Sequence, residues 1–149
     1  MRALVQKVKS GGVFIAENNY SAEIGPGLVI LLGVTHSDSE QEVNFVADKC
    51  SRLRIFPDEN DKMNLSVKDI DGEVLVISQF TLYGDASKGN RPSYIGAAEP
   101  VMANKLYEIF IERMKINLGS EKIKSGQFGA MMEVKIINDG PVTIIVESK

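Results

Sequence analysis

The chain has 149 residues, 44% of them hydrophobic and 25% charged, with a formal net charge of −3. That length buries a core without disulfides or a structural metal, and one domain spanning residues 1–149 is the natural expectation. The acidic balance argues against broad binding to DNA or RNA, though not against gripping one short end of a nucleic acid.

No apolar run has the length of a membrane-spanning helix, and the N-terminal MRALVQKVKSGG alternates instead of forming a signal-peptide core. The chain therefore reads as cytoplasmic, with no membrane partner. One cysteine, Cys50, excludes an intrachain disulfide, and with a single histidine, His36, a zinc site of usual composition is not expected. Cys50 reads as a small core residue and His36 as a loop residue. A hydrolase built on this chain works without metal, without a cofactor and without an imidazole base.

In chain order, residues 2–8 alternate as a strand, and VFIAE (13–17) and YSAEI (20–24) flank Asn18-Asn19 as a hairpin. LVILLGV (28–34) is continuously apolar, the mark of a strand buried on both faces. Ser37 and Glu40 fit a capping box, and Val43, Val46, Ala47, Cys50 and Leu53 keep helical spacing, predicting a helix over about 38–52. RLRIF (52–56) is a short strand. MNLSVKDI and EVLVISQFTLY are separated by Asp71-Gly72, a hairpin signal. A long polar loop follows over 83–96, then a helix over about 100–117 opened by Pro100, with Ala103, Leu106, Tyr107, Phe110 and Met114 on one face. KSGQFGA (124–130) is a Gly-punctuated loop. MMEVKII (131–137) and VTIIVES (142–148) are strands on either side of NDGPVT.

About eight strands with only two helices are too few helices for repeated βαβ units. The fold class is α+β: a β-rich, barrel-like antiparallel or mixed sheet with two outer helices.

Four stretches carry possible chemistry. SQFTLY (78–83) ends an apolar strand, and alternation puts Ser78, Phe80 and Leu82 on one face and Gln79, Thr81 and Tyr83 on the other. SGQFGA (125–130) brackets Phe128 with glycines, either to stack on a base or to plug the core. KGNRPSY (88–94) places Lys88 and Arg91 in a loop, as phosphate contacts or as solvated cations. In NDGPVT, Pro141 follows an already adequate turn. Gly25-Pro26 is another Gly-Pro pair between strands, and composition alone does not separate the two.

Taken together, SQFTL, KGNRPS, SGQF and NDGPVT, with MRALVQKV, LLGVTHSD, LRIFPD and KMNLSV in the same order, resemble the D-aminoacyl-tRNA deacylase family over essentially the whole chain. The resemblance implies a metal-independent homodimer that hydrolyses the ester between a D-amino acid, or glycine, and the 3′ terminal adenosine of tRNA, sparing L-aminoacyl-tRNA. It implies that Gly140 and Pro141 form a Gly-cisPro motif inserted into the other subunit's pocket. X-Pro bonds are where a cis peptide costs only about 0.5–1 kcal/mol. It also implies that Thr81 sits at the scissile ester, that backbone N–H groups near Gln79, Phe80 and Thr81 hold the oxyanion, that Phe128 binds the adenine, and that Ser78 and Gln79 frame the pocket. Ser10-Gly11-Gly12 and Gly129 depart from the family's usual residues, which bears on local loop geometry and some tRNA contacts. Two alternatives stay open: a nonenzymatic binding module for small ligands or RNA 3′ ends, and a deacylase with a trans Gly-Pro bond and relaxed stereochemistry.

Overall fold

The computed structural model describes residues 1–148. Its strands are β1 (Arg2–Ile15), β2 (Tyr20–Ile24), β3 (Gly27–Gly33), β4 (Phe56–Pro57), β5 (Met63–Leu65), β6 (Glu73–Ser78), β7 (Ile123–Ser125) and β8 (Glu133–Glu147). Two helices, α1 (Glu40–Arg52) and α2 (Pro100–Leu118), complete the regular structure, with single 3₁₀ turns at Phe80–Tyr83 and Ser120–Lys122. The main sheet runs β2-β1-β3-β6-β7, and β8 lies on the other side of β1. The pairings β3–β6 and β6–β7 are parallel and the others in this sheet are antiparallel. The sheet curls until β2 meets β7, where the Tyr20 hydroxyl donates to Ser125 O at 2.7 Å and Asn18 Nδ2 to Gln127 Oε1 at 2.7 Å. The result is the expected α+β fold, a nearly closed mixed-sheet barrel with two helices outside.

The apolar runs of β3 and β6 are covered on both faces. Leu28, Ile30 and Leu32 of β3, with Val74 and Val76 of β6, face the helices, while Val29, Leu75 and Ile77 point into the barrel. Their closeness depends on Gly27, where a Cβ would lie 1.8 Å from Glu73 O. The hairpin signal at Asp71-Gly72 does not pair β5 with β6. Instead Gly72 N donates to Val67 O, and Glu73 N to Pro26 O, which feeds the chain into the parallel pairing with β3. The short strands expected over 52–56 and 63–70 shrink to the two-stranded ribbon β4–β5.

The two predicted strands at the N-terminus are one long strand, β1. Lys9 has no partner between the pairs Val8↔Asn138 and Ser10↔Ile137, and this bulge exchanges the faces of the strand. Val5 belongs to the helix-side core, and Val13 to the barrel interior. The two strands around NDGPVT are also one, β8, running antiparallel along the whole of β1. Between Thr143, opposite Gln6, and Asn138, opposite Val8, residues 139–142 loop out past Lys7. Asn138 Nδ2 closes the base of this loop by donating to Lys7 O at 2.9 Å and to Val142 O at 3.2 Å.

The cis bond implied for Gly140–Pro141 is not observed; no peptide bond among the described residues is cis. The strand continues in the same direction on both sides of the loop. The required bend is taken up at Gly140, whose φ of +113° is open to glycine.

The helices pack against each other on the outer face of β3 and β6. The capping box of α1 is Ser39 with Glu42, not Ser37 with Glu40: Ser39 N donates to Glu42 Oε2 at 2.8 Å, and Gln41 N to Ser39 Oγ at 3.2 Å. Asp38 is instead drawn inward, where its Oδ2 accepts from Thr35 N at 2.8 Å. Cys50 is fully buried, and burial pushes its thiol up to about 12, leaving no reactive thiolate. Asp48 of α1 and Arg113 of α2 form a two-pronged pair, Nε to Oδ1 at 2.8 Å and Nη2 to Oδ2 at 2.7 Å, with Asn117 adding a third bond at 2.9 Å.

These bonds, that from Arg113 above all, hold the Asp48 carboxyl down at about 2, against 3.8 for the free group. A depressed carboxylate contributes stability above its unfolded value and loses it as pH falls through the folded one. Asp48→Asn should therefore cost about 1–2 kcal/mol at pH 7, allowing for partial solvent screening. The difference from wild type should shrink between about pH 4 and pH 2. Urea titrations of both proteins across that range check it, and a pH-independent difference would refute the ion-pair account.

Candidate active site at the ends of the parallel strands

Because β3 and β6 are parallel, their carboxyl ends open side by side, the usual place for a binding crevice in such sheets. A cleft of about 860 Å³ lies there. Leu32 and Val34 line it from the end of β3, and Ser78, Gln79 and Phe80 from the end of β6. The start of α2 supplies Glu99, Pro100 and Ala103, and the segment from Phe128 to Val134 forms the facing wall. The lining is mostly apolar with a few polar groups, the composition of a small-molecule or nucleoside site.

The alternation expected over 78–83 stops at Ser78. Gln79 N still reaches across to Leu32 O at 2.8 Å, extending the ladder by one bond, and then the chain turns. Leu82 N donates to Gln79 O at 3.2 Å and Gly84 N to Thr81 O at 2.9 Å, so Phe80–Tyr83 form a 3₁₀ turn and not a strand. Arg2 fastens this turn to β1: its Nη1 donates to Leu82 O at 2.6 Å, and its guanidinium lies 4.8 Å from the centre of the Tyr83 ring. Burial is the main reason the Tyr83 hydroxyl is pushed up to about 12, with Asp38 adding to it, so this phenol stays protonated at neutral pH.

The turn gathers some of the sequence-predicted residues and separates others. Ser78, Gln79, Phe80 and Phe128 all line the cleft. Phe80 is 57% exposed and meets Tyr94 edge-on at 5.2 Å. Thr81 is exposed just beyond the lining residues, and its Oγ1 accepts a hydrogen bond from Gln79 Nε2 at 2.5 Å. At the opening of the 3₁₀ turn, the backbone N–H groups of Phe80 and Thr81 find no acceptor among the described residues. Gly140 and Pro141 do not line the cleft of their own chain; they sit in the β8 loop-out, where Lys7 Nζ lies 3.4 Å from Asp139 Oδ2.

Phe128 owes its place to Tyr107. The Tyr107 hydroxyl donates to Val76 O at 2.9 Å, with Gly126 O at 3.3 Å, and the Tyr107 ring lies 6.1 Å from that of Phe128. Burial raises the Tyr107 hydroxyl well above the ordinary tyrosine range, so it stays a donor. Phe128 packs against the helix-side core and also faces the cleft.

His36, expected only as a loop residue, lines the cleft, as do Tyr94 and Glu99. His36 Nε2 lies 2.7 Å from Ile95 O, and Thr35 Oγ1 donates to Gly96 O at 2.6 Å, which ties the 83–96 loop to the end of β3. Tyr94 belongs to KGNRPSY, and His36 to the segment LLGVTHSD. Nothing in the sequence marked Glu99. Among the described residues no cluster of three or more His, Cys, Asp or Glu side chains could hold a metal ion, and no helix is long and apolar enough to cross a membrane.

The sequence profile of the D-Tyr-tRNA(Tyr) deacylase family matches residues 4–147. A D-aminoacyl-tRNA deacylase from Desulfatibacillum aliphaticivorans is 53% identical over 149 residues, covering all of both chains. One from Clostridioides difficile (strain 630) is 53% identical over 148 residues, or 99% of this chain and 97% of that one. Among solved structures, one described as c-Myc DNA Unwinding Element Binding Protein superposes with a TM-score of 0.93 at 39% identity, covering 100% of this chain and 99% of that one. A probable eukaryotic D-amino acid tRNA deacylase superposes with a TM-score of 0.83 at 15% identity over 99% and 98% of the two chains, a likeness of fold alone. With residues 4–147 matched by the profile and nearly the whole length matched by relatives of the same size, the chain belongs to the D-Tyr-tRNA(Tyr) deacylase family and is a D-aminoacyl-tRNA deacylase, a hydrolase of aminoacyl-tRNA.

Proposed function

We propose that this single domain, residues 1–149, hydrolyses the ester linking a D-amino acid, or glycine, to the 3′ terminal adenosine of tRNA while sparing L-aminoacyl-tRNA. The observation that carries the reading is the pair of unpartnered N–H groups of Phe80 and Thr81 at the edge of an apolar cleft. When water adds to the ester carbonyl carbon, the carbonyl oxygen becomes an oxyanion, and two fixed donors stabilise it more than they stabilise the substrate. Collapse of that intermediate breaks the bond to the ribose oxygen, which takes a proton, and releases free amino acid and tRNA. Ser78 and Gln79 frame the pocket, and Phe128 is the surface against which the adenine lies.

Thr81 acts as a positioning residue in this reading. A threonine nucleophile needs a base, whereas the Thr81 hydroxyl is held by the Gln79 amide. The tRNA's own 2′-hydroxyl is then the group that orients or activates water. An activated ester needs little more than positioning and an oxyanion site.

Selectivity for D-residues is assigned to Gly140 and Pro141 of a second copy of the chain. Their absence from the cleft of their own chain and their place on a projecting loop support this. Rigid backbone there accepts hydrogen bonds from the substrate's α-ammonium. It leaves no space for an L side chain, lets a D side chain point outward, and admits glycine. A homodimer is part of this reading, since the projecting loop of one copy has to meet the cleft of the other. The trans Gly140–Pro141 bond favours a second reading, in which hydrolysis is retained with relaxed stereochemistry.

Incubating the protein with D-Tyr-tRNA and L-Tyr-tRNA tests these readings. Release of D-Tyr with L-Tyr-tRNA spared is expected; equal release of both would establish the relaxed reading, and no release from either, with binding of a 3′ end intact, would leave a binding module. Thr81→Ala should retain substantial activity, within about tenfold of wild type on the scale of a lost positioning contact. A terminal 2′-deoxyadenosine should slow hydrolysis far more. Complete loss in the variant, or an unchanged rate with the deoxy substrate, would refute the RNA-assisted route.

A further inference from the structure

None of the residues lining the cleft is lysine or arginine. An aminoacyl ester on an RNA 3′ end nevertheless brings phosphodiesters to the rim, and the chain as a whole is acidic. The 83–96 loop offers what the lining lacks. Asp85 and Ser93 pair through both backbone bonds, at 2.8 and 2.9 Å, closing residues 86–92 into a tip that carries Lys88 and Arg91. Asp85 is the tip's neighbouring carboxylate, and it accepts from Ser87 N at 2.9 Å. Lys88 and Arg91 are exposed, and neither makes an ion pair or a side-chain hydrogen bond among the described residues.

The tip is also held in place. Directly after it, Tyr94 packs on Phe80, and Ile95 O meets His36, so the loop's base is part of the cleft wall. Arg91 precedes Pro92, which disfavours helical backbone at the arginine. Gly89, with φ of +69°, supplies the bend between the two cations.

We infer that Lys88 and Arg91 form a phosphate-contacting site for the single-stranded 3′ end of the substrate RNA, gripping its backbone without reading bases. This rests on the proposed reaction at the adjoining cleft. The contacts position the strand so that its terminal nucleotide enters between Phe80 and Phe128, and they make association salt-dependent through counterion release.

The test compares wild type with the double variant Lys88→Gln, Arg91→Gln on D-Tyr-tRNA and on a phosphate-free substrate, the D-tyrosyl ester of adenosine, each over a range of salt. The variant's kcat/KM for the tRNA relative to that for the ester should fall about tenfold at low salt. The slope of log kcat/KM against log salt on tRNA should shrink by about 1.4, from two single-strand contacts at about 0.7 each. A control double variant with the same charge change at exposed lysines on other elements, Lys49→Gln, Lys68→Gln, should keep the wild-type slope. An unchanged slope in the loop variant, an equal change in the control, or equal losses on both substrates would overturn the phosphate site and leave the hydrolytic reading standing. Wild-type protein inactive on D-Tyr-tRNA would instead remove the hydrolytic reading itself, and the site with it.

Discussion

The structure depends on the close parallel pairing of β3 with β6. Both strands are covered on both faces, which is why they read as continuous apolar runs and not as alternating ones. The pairing is possible because Gly27 lets the backbone of Glu73 approach to a distance no Cβ would allow. Once it is made, the carboxyl ends of the two strands must diverge at the same level. The cleft is the space they leave, roofed by the start of α2 and walled by the segment after β7.

A second constraint is the long antiparallel partnership of β1 and β8. A strand of that length cannot keep one face inward around a strongly curled sheet, and it changes face at the Lys9 bulge. Opposite the same place β8 throws out residues 139–142. One irregularity thus lets the barrel bend, and the other puts Gly140 and Pro141 on a projection instead of in the ladder. Asn138, just before that projection, keeps it compact by bonding Val142 O at its far end and Lys7 O on β1.

The polar features around the cleft share a pattern: each holds a segment that the sheet itself does not. Arg2 secures the 3₁₀ turn after β6, Tyr107 secures the loop carrying Phe128, and Thr35 with His36 secures the loop carrying Tyr94. The aromatic rings at the mouth therefore stand on anchored loops. Such pre-ordering favours catalysis by placement, because the cost of fixing the groups is met in folding and not during the reaction. It also suits a site in which no side chain is evidently activated as a nucleophile.

Periodicity alone determined the helix faces, with Val43, Val46, Ala47 and Cys50 on one and Ala103, Leu106, Phe110 and Met114 on the other, and the doubly buried run of residues 28–34. These follow from local pattern, since burial imposes a period of 3.6 on a helix and continuous apolarity on a covered strand. Ser78, Gln79 and Phe128 were legible as pocket residues only through the family resemblance of SQFTL and SGQF, since each stretch read alone also fitted a strand end or a core plug. What only the tertiary structure decided was non-local. The Asp71-Gly72 signal promised a hairpin, yet β6 pairs with β3, because burying two apolar strands side by side outweighs a favourable turn. NDGPVT looked like a turn between two strands, yet β8 continues through it, held by β1 along its whole length. SQFTLY alternates in sequence, but after Gln79 N bonds Leu32 O the chain turns, and Leu82 N bonds back to Gln79 O. Glu99 entered the site only through a chain segment distant in sequence from the motifs, and no local pattern records such a meeting.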